Sequence, residues 1–342
     1  MEVKLTQFSH GSGCGCKVAP AVLEEILKNT GETFTSANLL VGNETRDDAA
    51  VMDLGNATAL ISTVDFFTPI VNDAFTYGRI AAANALSDVY AMGGKPTLAI
   101  AVLGFPTEKL PAAIAQQIIA GGKSICKEAG VALAGGHTID APEPFFGLSV
   151  NGFVPVGHLK KNSTAQEGDL LFLTKPIGTG MLATALKREL ITEVELQPAI
   201  DSMCMLNKFG EELGKHPFVH ALTDVTGFGL LGHLLEMCEG ANLSAEINYA
   251  NVPFLPGVKD LAAKFVYADN TMRNWKAYEN KVAGIGSESL LTLCDPQTSG
   301  GLLIAVDPAS EKDFLVLAAA NNFQLKSIGR FTSLKEKSIT IV

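Results

Sequence analysis

Short apolar runs bounded by turn residues predict strands at 49–52, 58–64, 98–103, 131–134, 147–156, 170–174 and 302–306, with a last strand ending at Val342. Apolar residues recurring three and four apart predict helices at 20–30, 76–92, 112–129, 193–215, 230–238 and 310–321. Pro20 early in the first helix and Gly31 past its end fit the usual helix asymmetry. The run 49–52 reads as buried, and the strand 58–64 ends on Asp65. Helix 76–92 is alanine-rich and is stopped by Gly93-Gly94 and then Pro96. Its apolar surface is interrupted at Asn84 and Asp88, four residues apart and therefore on one face. Such groups are either solvated or aimed at a ligand. Residues 160–164 read as a connection between two halves. Strands and helices alternate, yet several strands follow one another directly, so the fold class is α+β, or mixed α/β, in two lobes.

A chain of 342 residues fits about two domains, and 47% hydrophobic against 18% charged residues supports a sizeable core. Lys and Arg number 26 against 36 Asp and Glu, a net charge of −10. That balance excludes a general nucleic-acid or anionic-membrane surface. A polyanion must then be held locally, through metal ions and a few placed cations. Six cysteines in a chain this long make no disulfide framework. The N-terminus has no apolar signal core, and the longest apolar run, 98–105, is too short to span a bilayer. A cytoplasmic protein with reduced thiols is expected.

Against that background His10-Gly11-Ser12-Gly13-Cys14-Gly15-Cys16-Lys17 stands out. Its glycines oppose regular structure and predict a mobile loop. The neighbouring ammonium favours the reactive thiolate of Cys14. Cys14 and Cys16 could also be a metal half-site, but no second Cys/His pair completes it. As a redox pair they have CxC spacing where CxxC is usual. An inert role conflicts with the exposed glycine setting. Asp47 and Asp48 could form a solvated polar turn. However, Asp48, Asp65, Asp88 and Asp224 all sit at the edges of buried elements, the pattern expected of ligands for Mg²⁺. Arg46 is suited to clamp a phosphate. Glycine turns at 135–136, 178–180, 227–229 and 300–301 are tight turns or anion seats, and two of them open helices. Neither a P-loop nor a GxGxxG fingerprint is present. His10 and His137 read as structural, Cys126, Cys204 and Cys238 as core, and Cys294 stays open.

Together the His10-to-Lys17 loop, the Gly42-to-Asp48 run, Asn84-Ala85-Leu86-Ser87-Asp88 with Gly93-Gly94-Lys95-Pro96, Gly135-Gly136-His137, Thr223-to-His233 and Cys294-to-Gly301 resemble the selenophosphate synthetase family. The loop is specific to that family. The aspartate motifs are shared with a superfamily that includes aminoimidazole ribonucleotide synthetase, thiamine-monophosphate kinase and a hydrogenase-maturation dehydratase. The resemblance implies two-domain α+β architecture of the aminoimidazole ribonucleotide synthetase type, with N-terminal strands pairing into a shared barrel in a homodimer. It implies a catalytic loop region at 1–17, an ATP-binding and dimerisation domain at 18–158 and a C-terminal domain at 159–342. The implied reaction converts ATP, selenide and water into selenophosphate, AMP and orthophosphate, supplying selenium for selenocysteine and selenouridine. Several Mg²⁺ ions and K⁺ are implied as cofactors, and there is room for a selenium-delivery protein as partner. Cys14 and Lys17 match the catalytic positions. Asp48, Asp65, Asp88 and Asp224 match metal ligands. Lys17, Thr45, Arg46, Asp47, Asp65, Asp88, Gly136, His137 and Thr138 match nucleotide contacts. A non-enzymatic selenium or thiol-metal carrier is the alternative, and it leaves the four aspartates unexplained.

Overall fold

A computed structural model of the chain describes residues 3–9, 11–18, 22, 25–26, 28, 36–42 and 46–342. The first of its two sheets contains β1 (Leu39–Val41), β2 (Ala50–Asp53), β3 (Thr58–Phe67), β4 (Lys95–Phe105), β5 (Ala132–Asp140) and β6 (Phe145–Pro155), in the order β1-β2-β3-β6-β4-β5. Neighbours are antiparallel except β4 and β5. Those two are parallel because a helix crosses over between them, and parallel strands need such a connection.

One face of this sheet is covered by α1 (Ala74–Ala91) and α2 (Ala112–Ala129). Alternation along β3 turns Ala59, Ile61 and Phe67 inward and leaves Ser62, Val64 and Phe66 exposed. Thr63 and Asp65 share the inward parity, so both face α1. The Asp73 carboxylate caps α1, accepting from the Thr76 amide at 2.7 Å. Beyond its cap the helix has almost no solvated side: sheet and α2 cover part of it, and the second half of the chain covers the rest. Asn84 is fully buried. Solvation therefore does not account for the polar interruption of this helix.

The second sheet contains β7 (Leu170–Leu173), β8 (Val219–Asp224), β9 (Ser244–Ile247), β10 (Val282–Ala283), β11 (Leu302–Val306), β12 (Gly329–Thr332) and β13 (Ile339–Ile341). Their order is β10-β13-β9-β12-β7-β11-β8, with β10–β13 and β13–β9 parallel. Around it lie α3 (Thr179–Lys187), α4 (Glu193–Cys204), α5 (Phe209–Gly214), α6 (Gly229–Ala241), α7 (Val258–Ala263), α8 (Asp269–Tyr278), α9 (Ser287–Leu293) and α10 (Glu311–Ala320). One apolar cluster joins the halves, running from Ile80, Leu86 and Phe146 to Met181, Leu196 and Leu261. Among the described residues no helix is long and apolar enough to cross a membrane.

The structure departs from the sequence pattern in four places. The run 49–52 is not buried throughout: Val51 is enclosed but Met52 is exposed, because the outer face of the sheet is uncovered. Asp65 does not end its strand, since β3 continues to Phe67 opposite β6. Gly135-Gly136 is not a turn but lies within β5, where the register against β4 shifts between Ala99 and Ala101. The helix expected at 193–215 is two helices. The break at 205–208 is held by Lys175 Nζ donating to the Met205 carbonyl at 2.7 Å and by Asn207 Nδ2 donating to Ser87 Oγ and the Gly300 carbonyl. The helix expected at 20–30 lies largely outside the described residues.

Candidate active site

The glycine-rich stretch lies across the seam between the halves. The Gly13 amide donates to the Thr68 carbonyl at 3.1 Å, and the Cys14 amide donates to Thr298 Oγ1 at 2.9 Å. A tight turn at Cys14–Cys16 follows, closed by the Lys17 amide on the Cys14 carbonyl. Gly13 has φ +54°, and a Cβ there would lie 2.3 Å from Thr298 Oγ1. Glycine is therefore required both for the backbone angle and for the close approach. Cys14 is fully buried, which corrects the exposed setting expected from its glycines. The flap is docked from both halves, and that docking removes the thiol from solvent.

Inside the seam, Asn84 joins the flap to the acidic side chains. Its Oδ1 accepts from Cys14 Sγ at 3.3 Å and from the Ser299 amide at 2.7 Å, and its Nδ2 donates to Asp65 Oδ2. Lys17 Nζ pairs with the same Asp65 oxygen at 3.2 Å. Burial disfavours the Lys17 ammonium, but the charges of Asp65, Cys14 and Asp88 outweigh it and raise its proton affinity. The flap thus carries a firmly protonated ammonium and a thiol held by an amide.

Beside them are Asp48, Asp88 on α1 and Asp224 at the end of β8. Thr223 Oγ1 donates to Asp48 Oδ1 at 2.8 Å, and Thr63 Oγ1 donates to Asp88 Oδ2 at 2.5 Å. Ser87 supplies a hydrogen bond to Asp224. Burial, then the charges of Asp224 and Asp88, push Asp48 well above the usual carboxylate range. Burial, then Asp224 and Asp65, do the same to Asp88. Asp224 is raised chiefly by burial. Asp48 Oδ2 and Asp224 Oδ2 are buried with no hydrogen-bond partner. Among the described residues no three His, Cys, Asp or Glu side chains close around one ion by themselves. The unpartnered carboxylate oxygens of Asp48 and Asp224 are of the type that Mg²⁺ takes, one or two to an ion with water and phosphate oxygens completing its shell.

The other expected contacts are placed less centrally. Asp47 Oδ1 accepts from the Asn162 amide at 2.7 Å, and the Arg46 carbonyl accepts from Asn162 Nδ2, so both help to fix the connection between halves. Gly136, His137 and Thr138 are exposed on β5, three strand positions from β3, or about 14 Å away. The flap and these three residues do not converge on one point. Thr45 and His10 lie outside the described residues, as does the side chain of Cys16. The N-terminus of α3 is not a vacant anion seat: Gln297 Oε1 accepts from the Gly178 and Thr179 amides, and Asp295 Oδ2 accepts from Gly180. Burial pushes the Cys126 thiol to about 11 and those of Cys238 and Cys294 to about 12, making them poor nucleophiles.

Sequence reasoning gave no role to Thr298, Ser299, Gln297 or Lys175. The density of polar residues between Cys294 and Gly301 was the available signal. Lys175 is fully buried, and burial lowers its amine to about 7; its Nζ donates to the Met205 and Ser299 carbonyls. It fixes the turn that presents Ser299 to Asn84.

Two family models match the chain: AIR synthase related protein, N-terminal domain, over residues 46–154, and its C-terminal domain over 166–342. The chain is 53% identical to selenide, water dikinase of Cronobacter sakazakii, covering 97% of this chain and 96% of that protein. It is 52% identical to selenide, water dikinase of Yersinia pseudotuberculosis, covering 99% and 97%. A crystal structure of thiamine-monophosphate kinase from Stenotrophomonas maltophilia superposes with TM-score 0.65 at 19% identity, covering 95% of this chain and 96% of that one. That likeness concerns the fold alone.

Proposed function

The chain belongs to the selenide, water dikinase family, and we propose that it forms selenophosphate at the seam beneath the flap, consuming ATP, selenide and water and releasing AMP and orthophosphate. The observation that carries this placement is the convergence of Cys14 and Lys17, from one end of the chain, on Asp65 and Asn84 beside three buried aspartates. The nucleotide phosphates bind between flap and aspartates. Asp48, Asp88 and Asp224 hold Mg²⁺ ions, with Asp65 as a further ligand. The unpartnered oxygens of Asp48 and Asp224 fit that role, since neutralising them requires a cation. Bound Mg²⁺ supplies charge neutralisation on phosphate oxygens. Lys17 places its ammonium where negative charge develops on the transferring group. Asn84 orients the Cys14 thiol toward the incoming selenide, and the closed flap keeps water from the first transfer. The later hydrolysis of ADP requires water access, so the flap has at least two states. Gly136, His137 and Thr138 suit the base or ribose end of the nucleotide rather than its terminal phosphate, and Thr45, Arg46 and Asp47 the polyphosphate flank.

The same reading includes a homodimer built on the outer face of the first sheet, a K⁺ requirement, a cytoplasmic location and a partner that delivers selenium. It divides the chain into a flap region at 1–17, a nucleotide-binding half at 18–158 and a second half at 159–342. Phosphorus NMR of the protein with ATP, selenide and Mg²⁺ tests it: a phosphorus–selenium coupled product with stoichiometric AMP is expected. ADP as the end product, or no turnover, refutes it. Lys17→Ala is expected to lower the rate by about 10²-fold or more.

A further inference from the structure

Beside the flap lies a cavity of about 580 Å³. It touches the flap at Gly11, Ser12 and Gly15 and meets none of the four aspartates. Its far wall is α3 and the start of α8. In a chain of net charge −10, this wall carries Lys187, Arg188 and Arg273 against Glu143 and Asp269. Arg188 is paired with Asp269 at 3.6 Å, and Lys187 donates to the Ser9 carbonyl at 3.0 Å. Arg273 has a hydrogen bond only to Asn270, one turn earlier on its own helix, and among the described residues no carboxylate pairs with it. Ser12 and Thr68, which bound the cavity, each hold a buried hydroxyl with no hydrogen-bond partner. Ser12 and Gly15, which line this space, lie within two positions of Cys14 in the chain. A Cβ placed on Gly15 would meet only Pro296, at 3.8 Å.

Building on the reaction proposed above, we infer that this cavity is the entry vestibule for the selenium substrate, gathering hydroselenide on Arg273 and passing it to Cys14 when the flap lifts. The chemistry fits. Hydroselenide is a small monoanion at neutral pH, and a protein of strongly negative charge repels it everywhere except at a local cationic surface. ATP takes another route, because none of the carboxylates proposed to tether it through metal ions lines this cavity. Acceptor and nucleotide then reach the flap by separate routes. The cavity is far larger than one hydroselenide ion, which suits a passage or the approach of a selenium carrier more than a fitted site.

The test is steady-state AMP formation with selenide titrated anaerobically at saturating ATP, in wild type, Arg273→Met and Arg273→Lys. Removing the guanidinium is expected to raise the KM for selenide about fivefold or more, with the KM for ATP and the maximal rate changed less than about twofold, and lysine restores most of the loss. Thr184→Glu adds a negative charge to the same wall without touching Arg273 and is expected to raise the selenide KM in the same direction. Thermal melting reports whether each variant is folded. A selenide KM unchanged in both Arg273→Met and Thr184→Glu overturns the vestibule, as does an effect confined to inhibition by orthophosphate. A wild-type protein that makes no AMP from selenide instead overturns the reaction itself.

Discussion

Asp224 shows what the site asks of single residues. Its side chain is buried beside Asp48 and Asp88, and all three carboxyls are pushed toward the protonated form. Groups whose folded proton affinity is raised lend stability at low pH and withdraw it as pH rises through the raised value. The metal-free protein is therefore less stable at neutral pH than its burial alone provides. Asp224→Asn is expected to raise the metal-free melting temperature by about 1–2 °C near pH 7.5, the effect of roughly 1 kcal/mol in a chain of this length. Mg²⁺ with ATP stabilises wild type more than the variant, and AMP formation falls about 10²-fold or more. Differential scanning calorimetry with and without Mg-ATP checks this, and a lower metal-free melting temperature counts against it. The four aspartates were conspicuous in the sequence as charged residues at the edges of apolar elements, and Lys17 as the ammonium that follows the glycine-rich loop. The residues that hold the flap were not. Cys14 meets Thr298 across 284 positions and Asn84 meets Ser299 across 215, and a local pattern carries no information about such pairs.

The flap and the Asp295–Ser299 turn behave as a latch. Gln297 and Asp295 occupy the start of α3, Thr179 Oγ1 accepts from the Thr298 amide, and Thr298 Oγ1 accepts from the Cys14 amide. Thr298→Val keeps the shape and removes the acceptor. Site-resolved alkylation is expected to modify Cys14 about five- to tenfold faster in this variant, as loss of one buried hydrogen bond implies, while Cys126, Cys238 and Cys294 stay protected. Thr298→Ser restores protection, and equal Cys14 rates in all three proteins remove the latch. Asp295 adds a pH dependence: burial pushes its carboxyl to about 7, and one of its oxygens is unpartnered. Its protonated form is favoured in the fold, so its contribution is full below about pH 4 and fades as pH approaches 7. Asp295→Asn is expected to flatten the fall of melting temperature between pH 5 and 8, and parallel profiles would contradict that. The glycines before α3 had two readings, a tight turn or an anion seat. Only the structure shows that a side chain fills this helix start.

At the scale of the whole molecule, the α+β class in two lobes was readable from element order, and the AIR synthase-related fold agrees with it. The strand orders and the parallel pairs β4–β5, β10–β13 and β13–β9 were not, because they depend on which distant strands meet. The outer face of the first sheet exposes Val64, Phe66, Leu98, Ile100, Ile139 and Phe153 on adjoining strands. An apolar surface spread over four strands is what the proposed homodimer would cover. Wild type is expected to sediment at twice the chain mass, and the double variant Val64→Glu, Ile100→Glu at the chain mass. A monomeric wild type contradicts the shared-barrel reading.

The central claim is that a sulfur-bearing flap and a buried acidic set close on one phosphoryl group. A structure with Mg²⁺ and a non-hydrolysable ATP analogue tests it most directly. Metal ions are expected on Asp48, Asp88 and Asp224, with the terminal phosphate in contact with Lys17. A nucleotide bound elsewhere, with its terminal phosphate out of reach of Lys17 and those aspartates free of metal, would contradict it.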